Sequence, residues 1–166
     1  MVNLQRKPEV LAPAGNLECL EAAVRYGADA VYLGSTEFGM RASAATFGRE
    51  ELPRGIEIAH KAGVRVYLTC NTLPRNEEID RMGDFLKWAG ECGIDAFIVT
   101  DLGVFFLLKE MLPEAEIHTS TQAGIVNWRS ATEFYRMGGK RVVLAREFSL
   151  EEIREIRRRT SPELEL

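Results

Sequence analysis

Gly27-Ala-Asp-Ala-Val-Tyr-Leu-Gly34 decides the fold, because its layout recurs wherever a helix hands over to a strand. A glycine takes the left-handed conformation that ends a helix at no side-chain cost, and the polar residue two positions later occupies the turn. Ala30 to Leu33 is then a short apolar run, as a strand covered on both faces requires. The pattern returns as Gly63-Val-Arg-Val-Tyr-Leu-Thr69, Gly93-Ile-Asp-Ala-Phe-Ile-Val-Thr100 and Gly138-Gly-Lys-Arg-Val-Val-Leu-Ala145. A degenerate copy, Pro113-Glu-Ala-Glu-Ile-His-Thr119, lies between the last two. Steps of roughly 25 to 35 residues match one strand, one helix and two loops, so the chain reads as a βα repeat.

Working outward, Glu9 to Ala12 reads as a first strand, and Asn16 caps a helix that presents Leu17, Leu20 and Val24 on one side. Ser35 to Gly48 is a long loop carrying Phe38-Gly-Met-Arg41, and Glu50, Glu51 and Pro53 mark the first turn of the next helix. Val64 to Leu68 is the third strand, followed by a helix capped by Asn76 with Ile79, Met82, Leu86 and Ala89 at helical spacing. The fourth strand ends in Thr100-Asp101, where Asp101 is placed to cap the apolar helix Val104 to Leu112. The fifth is followed by Thr119-Ser-Thr-Gln122 and a helix capped by Asn127. The sixth, Arg141 to Leu144, precedes a helix opened by the capping box of Ser149 and Glu152 and closed by Arg157-Arg-Arg159. Pro162-Glu-Leu-Glu-Leu166 begins a seventh strand.

Six βα units with right-handed crossovers build either an open doubly wound sheet or most of an eight-stranded barrel. No Gly-x-Gly-x-x-Gly fingerprint follows the first strand, the units are nearly even, and the loops after the strands hold the unusual polar residues, so the barrel is favoured. The expectation is an α/β chain forming, over residues 1–166, a single incomplete (βα) TIM-type barrel domain, truncated after six units and the start of a seventh strand.

The chain has 166 residues, of which 46% are apolar and 28% charged, an ordinary globular composition. A net charge of −4 gives no electrostatic footprint for nucleic acid. No apolar run approaches the ~18 residues of a spanning helix, and the first eight residues lack the apolar core of a signal peptide, so no membrane partner is expected and the expected location is the cytoplasm. Cys19, Cys70 and Cys92 are widely spaced and form no Cys-x-x-Cys pair; they read as free thiols, with no metal site.

Seven short motifs in order carry a family resemblance: Leu11-Ala-Pro-Ala-Gly-Asn16, Gly27 to Gly34, Phe38-Gly-Met-Arg41, Asn71-Thr-Leu73, Asp101-Leu-Gly103, Ser120-Thr-Gln122 and Leu144-Ala-Arg-Glu-Phe-Ser149. Together they resemble the collagenase-like peptidase family U32 along the whole chain. The resemblance implies an N-terminal (βα) barrel followed by a region in which four cysteines hold an iron–sulfur cluster. None of the three cysteines here matches that pattern, so the cofactor is expected only in the intact protein. The resemblance further implies oxygen-independent hydroxylation of RNA bases with prephenate, a small dicarboxylate, as hydroxyl donor, and RNA as partner; other members have been called proteases.

Barrel enzymes carry their chemistry at the C-terminal ends of the strands, which selects the loop residues by position. Arg41 and Arg146 suit a carboxylate, which the guanidinium fork matches bidentately. Glu147 is placed to orient Arg146 or to favour the next helix start, and Asp101 is a candidate general base that also explains itself as a helix cap. Asn71 and Gln122 offer uncharged hydrogen-bonding groups for a carbonyl or a base edge, and Gly34 lets a ligand approach the backbone. Tyr32 and His118 lie within strands and read as core, and Arg157 to Arg159 suit the helix dipole.

A protease needs a nucleophile beside a base. The nucleophiles are Ser35, Ser43, Ser120 and Cys70, but the two histidines are His60, on a helix, and His118, which shares a strand face with Ser120 at about 6 to 7 Å along it. No dyad is preformed. Unpaired edges at strands one and six of an open barrel invite pairing with another copy, a homo-oligomer.

Overall fold

The structure, a computed structural model, describes residues 7–39 and 46–166; Arg41 and Ser43 lie outside the described residues. The strands are β1 (Leu11–Pro13), β2 (Ala30–Gly34), β3 (Arg65–Cys70), β4 (Ala96–Val99), β5 (Glu116–Thr119), β6 (Arg141–Val143) and β7 (Glu163–Glu165). The helices between them are α1 (Leu17–Arg25), α2 (Glu51–Lys61), α3 (Asn76–Glu91), α4 (Leu102–Met111), α5 (Trp128–Arg136) and α6 (Leu150–Arg159), with a 3-10 turn at Thr121–Ala123 after β5.

Gly27, Gly63, Gly93 and Gly138 follow the helix ends with φ of 86°, 74°, 97° and 98°, the region open to glycine. The turn aspartates do more than turn the chain. Asp29 accepts the Val10 backbone N–H at 2.8 Å, and Asp95 accepts that of Val66 at 2.7 Å. Each carboxylate therefore ties the start of its own strand to the strand before it. Asn16, Asp101, Asn127 and Ser149 cap their helices through their side chains. At α3 the cap falls one residue before the expected Asn76, because Glu78 reaches back to the Arg75 backbone N–H at 2.8 Å.

All seven strands are parallel and lie in chain order, β1 to β7, so there is no switch point of the doubly wound kind. The outward faces, including Val31, Leu68, Phe97, Ile117 and Val142, form the main core with the helices. Ala30, Tyr67, Ala96 and Ile98, with Leu11 and Tyr32, form a second cluster on the inward face. In a flat sheet β1 and β6 would stand five strand spacings apart, roughly 24 Å. Glu9, two residues before β1, instead lies 2.6 Å from Arg141 on β6. The sheet is thus curled into a half-barrel that does not close. Its free edges are β1 and β7 rather than strands one and six, because the last residues complete a seventh strand. Among the described residues no helix is long and apolar enough to cross a membrane.

Candidate functional site

The inward face has a floor at the N-terminal ends of the strands and a mouth at their C-terminal ends. Charged residues at alternating strand positions build the floor. Arg141, 8% exposed, donates to Glu9 and, through Nε and Nη2, to Glu163, with its guanidinium 5.3 Å from the centre of the Tyr67 ring. Burial opposes that charge, but the two carboxylates outweigh it and hold the guanidinium above its ordinary value. The Tyr67 hydroxyl donates to Glu9 at 3.0 Å, and burial pushes it up.

Glu116 meets His118 Nε2 at 2.9 Å and Arg65 at 3.0 Å. The His118 bond, aided by Arg65 and opposed by burial, holds the Glu116 carboxyl down to about 2. Burial lowers His118, which is fully buried, so the neutral ring donates a hydrogen bond from Nε2–H to the Glu116 carboxylate, and its Nδ1 lone pair has no partner among the described residues. Sequence reasoning missed this network. The available signal was Arg65, Glu116, Arg141 and Glu163, charges within strands that a doubly covered position would make apolar.

The mouth is assembled from loops after β2, β3 and β5. Asn71 Nδ2 donates to Gln122 Oε1 at 2.9 Å, and Ser120 Oγ donates to the same oxygen at 3.0 Å. Both acceptor positions of the Gln122 carbonyl are filled, so what this exposed side chain presents is its NH2, unpartnered among the described residues. Thr72 Oγ1 donates to the Phe38 carbonyl at 3.3 Å, drawing the loop after β2 to the end of β3. Phe38 takes φ 55° there, an uncommon conformation for a side chain of its size.

The other sequence candidates are placed as follows. Asp101 caps α4, accepting the Val104 N–H at 3.0 Å. Arg146 and Glu147 follow β6, exposed, with no ion pair or side-chain hydrogen bond to one another or to any described residue. Gly34 ends β2, where an added Cβ would make ordinary contact with Thr69 and Thr46, so neither φ nor packing demands glycine. Arg158 and Arg159 pair with Glu155, and Arg157 donates to the Pro162 carbonyl.

No nucleophile meets a base among the described residues. Ser120 is engaged with Gln122, and His118 with Glu116. Ser35 Oγ accepts the Glu37 N–H, and His60 binds Asp95 at the floor end. Cys70 is buried, which pushes its thiol up to about 12.

The sequence profile of peptidase family U32 matches residues 15–166. The chain belongs to that family. The chain is 43% identical, over 98% of its length, to tRNA hydroxylation protein P1 of Bacillus subtilis (strain 168), and spans 38% of that protein. It is also 43% identical, over 90% of its length, to a protein of Methanocaldococcus jannaschii named uncharacterized protease MJ0090, and spans 36% of it. This member of U32 therefore spans little more than a third of these relatives. The solved structure of the U32 peptidase Mk0906 shares the fold, with a TM-score of 0.75 at 18% identity, covering 99% of this chain and 71% of that one.

Proposed function

We propose that this chain is the barrel portion of a tRNA-hydroxylating protein and that its substrate-facing surface is the mouth around Asn71, Ser120 and Gln122. The observation that carries the reading is the 43% identity over 98% of the chain to a tRNA hydroxylation protein. The mouth supports it: a strand-end amide with its carbonyl saturated and its NH2 outward suits a carbonyl or carboxylate oxygen of a bound molecule. In this reading the half-barrel is the first part of an eight-stranded barrel whose remaining strand docks between β7 and β1.

The proposed hydroxyl donor is a small prephenate-like carboxylate, gripped by Arg146 and Arg41. Arg146 is exposed and pairs with no described residue, which leaves its guanidinium fork suited to an anion. Glu147, which likewise pairs with no described residue, and Asp101, held at the N-terminus of α4, are the groups we assign to holding or moving a proton. An iron–sulfur cluster does not fit the cysteines of this chain. Cys19 is exposed on α1, Cys70 is buried on β3 and Cys92 caps α3, and among the described residues no three His, Cys, Asp or Glu side chains converge as a metal site. We place its ligands outside these 166 residues.

A peptidase is the second reading, favoured by the name of the Methanocaldococcus relative. The absence of a nucleophile–base pair among the described residues weighs against it. The test is to incubate the full-length protein, in parallel, with tRNA from a strain lacking it and with gelatin. Nucleoside mass spectrometry should detect the gain of one oxygen, gelatin should stay intact, and Gln122→Ala should lower tRNA modification by roughly tenfold or more, as loss of one substrate hydrogen bond predicts. Cleaved gelatin beside unmodified tRNA overturns the proposal.

A further inference from the structure

A cleft of about 350 Å³ lies between α4 and α5, on the outer side of the sheet. Phe105 and Phe134, whose rings meet edge to face at 5.3 Å, form its apolar walls with Val99 and Ile125. Two threonines lie among them. Thr119 follows His118 on β5 and so presents its side chain to the opposite face, where it is 2% exposed. Thr100 follows the last residue of β4. The hydroxyl oxygens of both are buried without a hydrogen-bond partner among the described residues, and both residues line this one cleft. A buried hydroxyl with no partner carries a desolvation cost with nothing in return, so two of them on one cavity are a sign of a site that a ligand completes.

The charges at the rim define the chemistry. Asp101 is committed to capping Val104, and Arg129 pairs with Glu133 at 3.1 Å. No unpaired charge among the described lining residues calls for an ion. The volume falls in the range of small-molecule sites, and the walls are aromatic. We propose that this cleft binds an uncharged aromatic compound bearing a hydroxyl or carbonyl, its ring against Phe105 and Phe134 and its oxygen on Thr119 and Thr100. The cleft adjoins the mouth: the turn Thr121–Ala123 is their common wall, carrying Gln122 to the one and Ala123 to the other, and Asp101 stands at the rim of the cleft. The inference does not rest on the tRNA reading.

The experiment titrates the full-length protein with 2-naphthol and with naphthalene at neutral pH, followed by ligand-observed NMR and calorimetry. The hydroxyl should make 2-naphthol bind at least fivefold tighter. Thr119→Val, which exchanges the hydroxyl for a methyl of the same size, should abolish that preference while leaving naphthalene affinity within twofold. Ser130→Trp, at the exposed rim of α5, should weaken both compounds at least tenfold with an unchanged circular dichroism spectrum. Equal affinity for the two compounds in the wild type, a preference that survives Thr119→Val, undiminished binding to Ser130→Trp, or no binding of either compound each overturns the proposal.

Discussion

Replacing Arg141 by methionine asks whether the charged floor holds the half-barrel curled. Methionine keeps the apolar stem, so the loss isolates the guanidinium. That group makes a 2.6 Å bond to Glu9 and bonds of 2.8 and 3.2 Å to Glu163. Two charge-assisted pairs at about 1.5–3 kcal/mol each give roughly 3–6 kcal/mol. The stranded acids are partly open to water, Glu9 at 28% and Glu163 at 41% exposure, so they rehydrate in the variant and the loss falls toward the lower end, about 3 kcal/mol. Against a typical domain stability of about 5–15 kcal/mol that is a large share. Urea unfolding followed by circular dichroism measures it, and the cycle with Glu9→Gln should show a coupling of about 1–2 kcal/mol.

The sign with pH follows from Glu163. Burial raises its carboxyl, but Arg141 outweighs burial and the net shift is downward. A depressed folded value contributes stability above the unfolded carboxylate value of about 4.3 and loses it as pH falls through the folded value. The gap between wild type and Arg141→Met should therefore be full at pH 7 and narrow below about pH 4. A loss under about 1 kcal/mol at pH 7, or a gap that persists in acid, refutes the reasoning.

Asp101→Ala should cost about 1 kcal/mol in urea unfolding through the lost cap of α4, while Asp101→Asn keeps the cap. If Asp101 moves a proton, the asparagine variant of the full-length protein is as stable as wild type and inactive; full activity removes Asp101 from the catalytic candidates. With a thiol reagent such as Ellman's, Cys19 should react at once and Cys70 only on unfolding. The Cys70 thiol, raised by burial to about 12, contributes stability that is complete below the unfolded thiol value near about 8.5 and declines as pH rises above it. Labelling of Cys70 as fast as Cys19 contradicts its burial.

The units of the fold were legible because their signals are local. Gly27, Gly63, Gly93 and Gly138 each act within their own helix end, and Asn16, Asp101, Asn127 and Ser149 each cap the helix that follows them. The barrel curl was legible in outline, from the even units and the missing phosphate fingerprint, but what holds it was not. It depends on pairs such as Glu9 and Arg141, 132 residues apart, and in the sequence each of those charges reads only as a polar residue near a strand end. Asn71 and Gln122 were selected by type and position, but their contact was not, since they leave β3 and β5 on either side of β4 and meet only over a curved sheet. The shift of the α3 cap to Arg75 has the same origin on a smaller scale: Glu78 reaches a backbone N–H outside the window in which Asn76 alone is the better cap.

The division of hydrogen-bonding capacity then separates the two ends of the barrel. At the floor both guanidiniums are paired, and the carboxylates of Glu9, Glu116 and Glu163 accept from them; among the described residues there, His118 Nδ1 and one oxygen of Glu165 make no hydrogen bond, and that oxygen still lies 3.7 Å from Arg141. A ligand arriving there would have to break ion pairs to gain contacts of the same kind, which leaves little net affinity. At the mouth, Gln122 presents an NH2 that its neighbours cannot use, and Arg146 and Glu147 carry charges that no described residue answers. Binding there replaces water rather than protein. The same family of inward-facing strands therefore supplies a saturated end that holds the shape and an unsaturated end that can recognise a substrate, which is why we place the chemistry at the mouth.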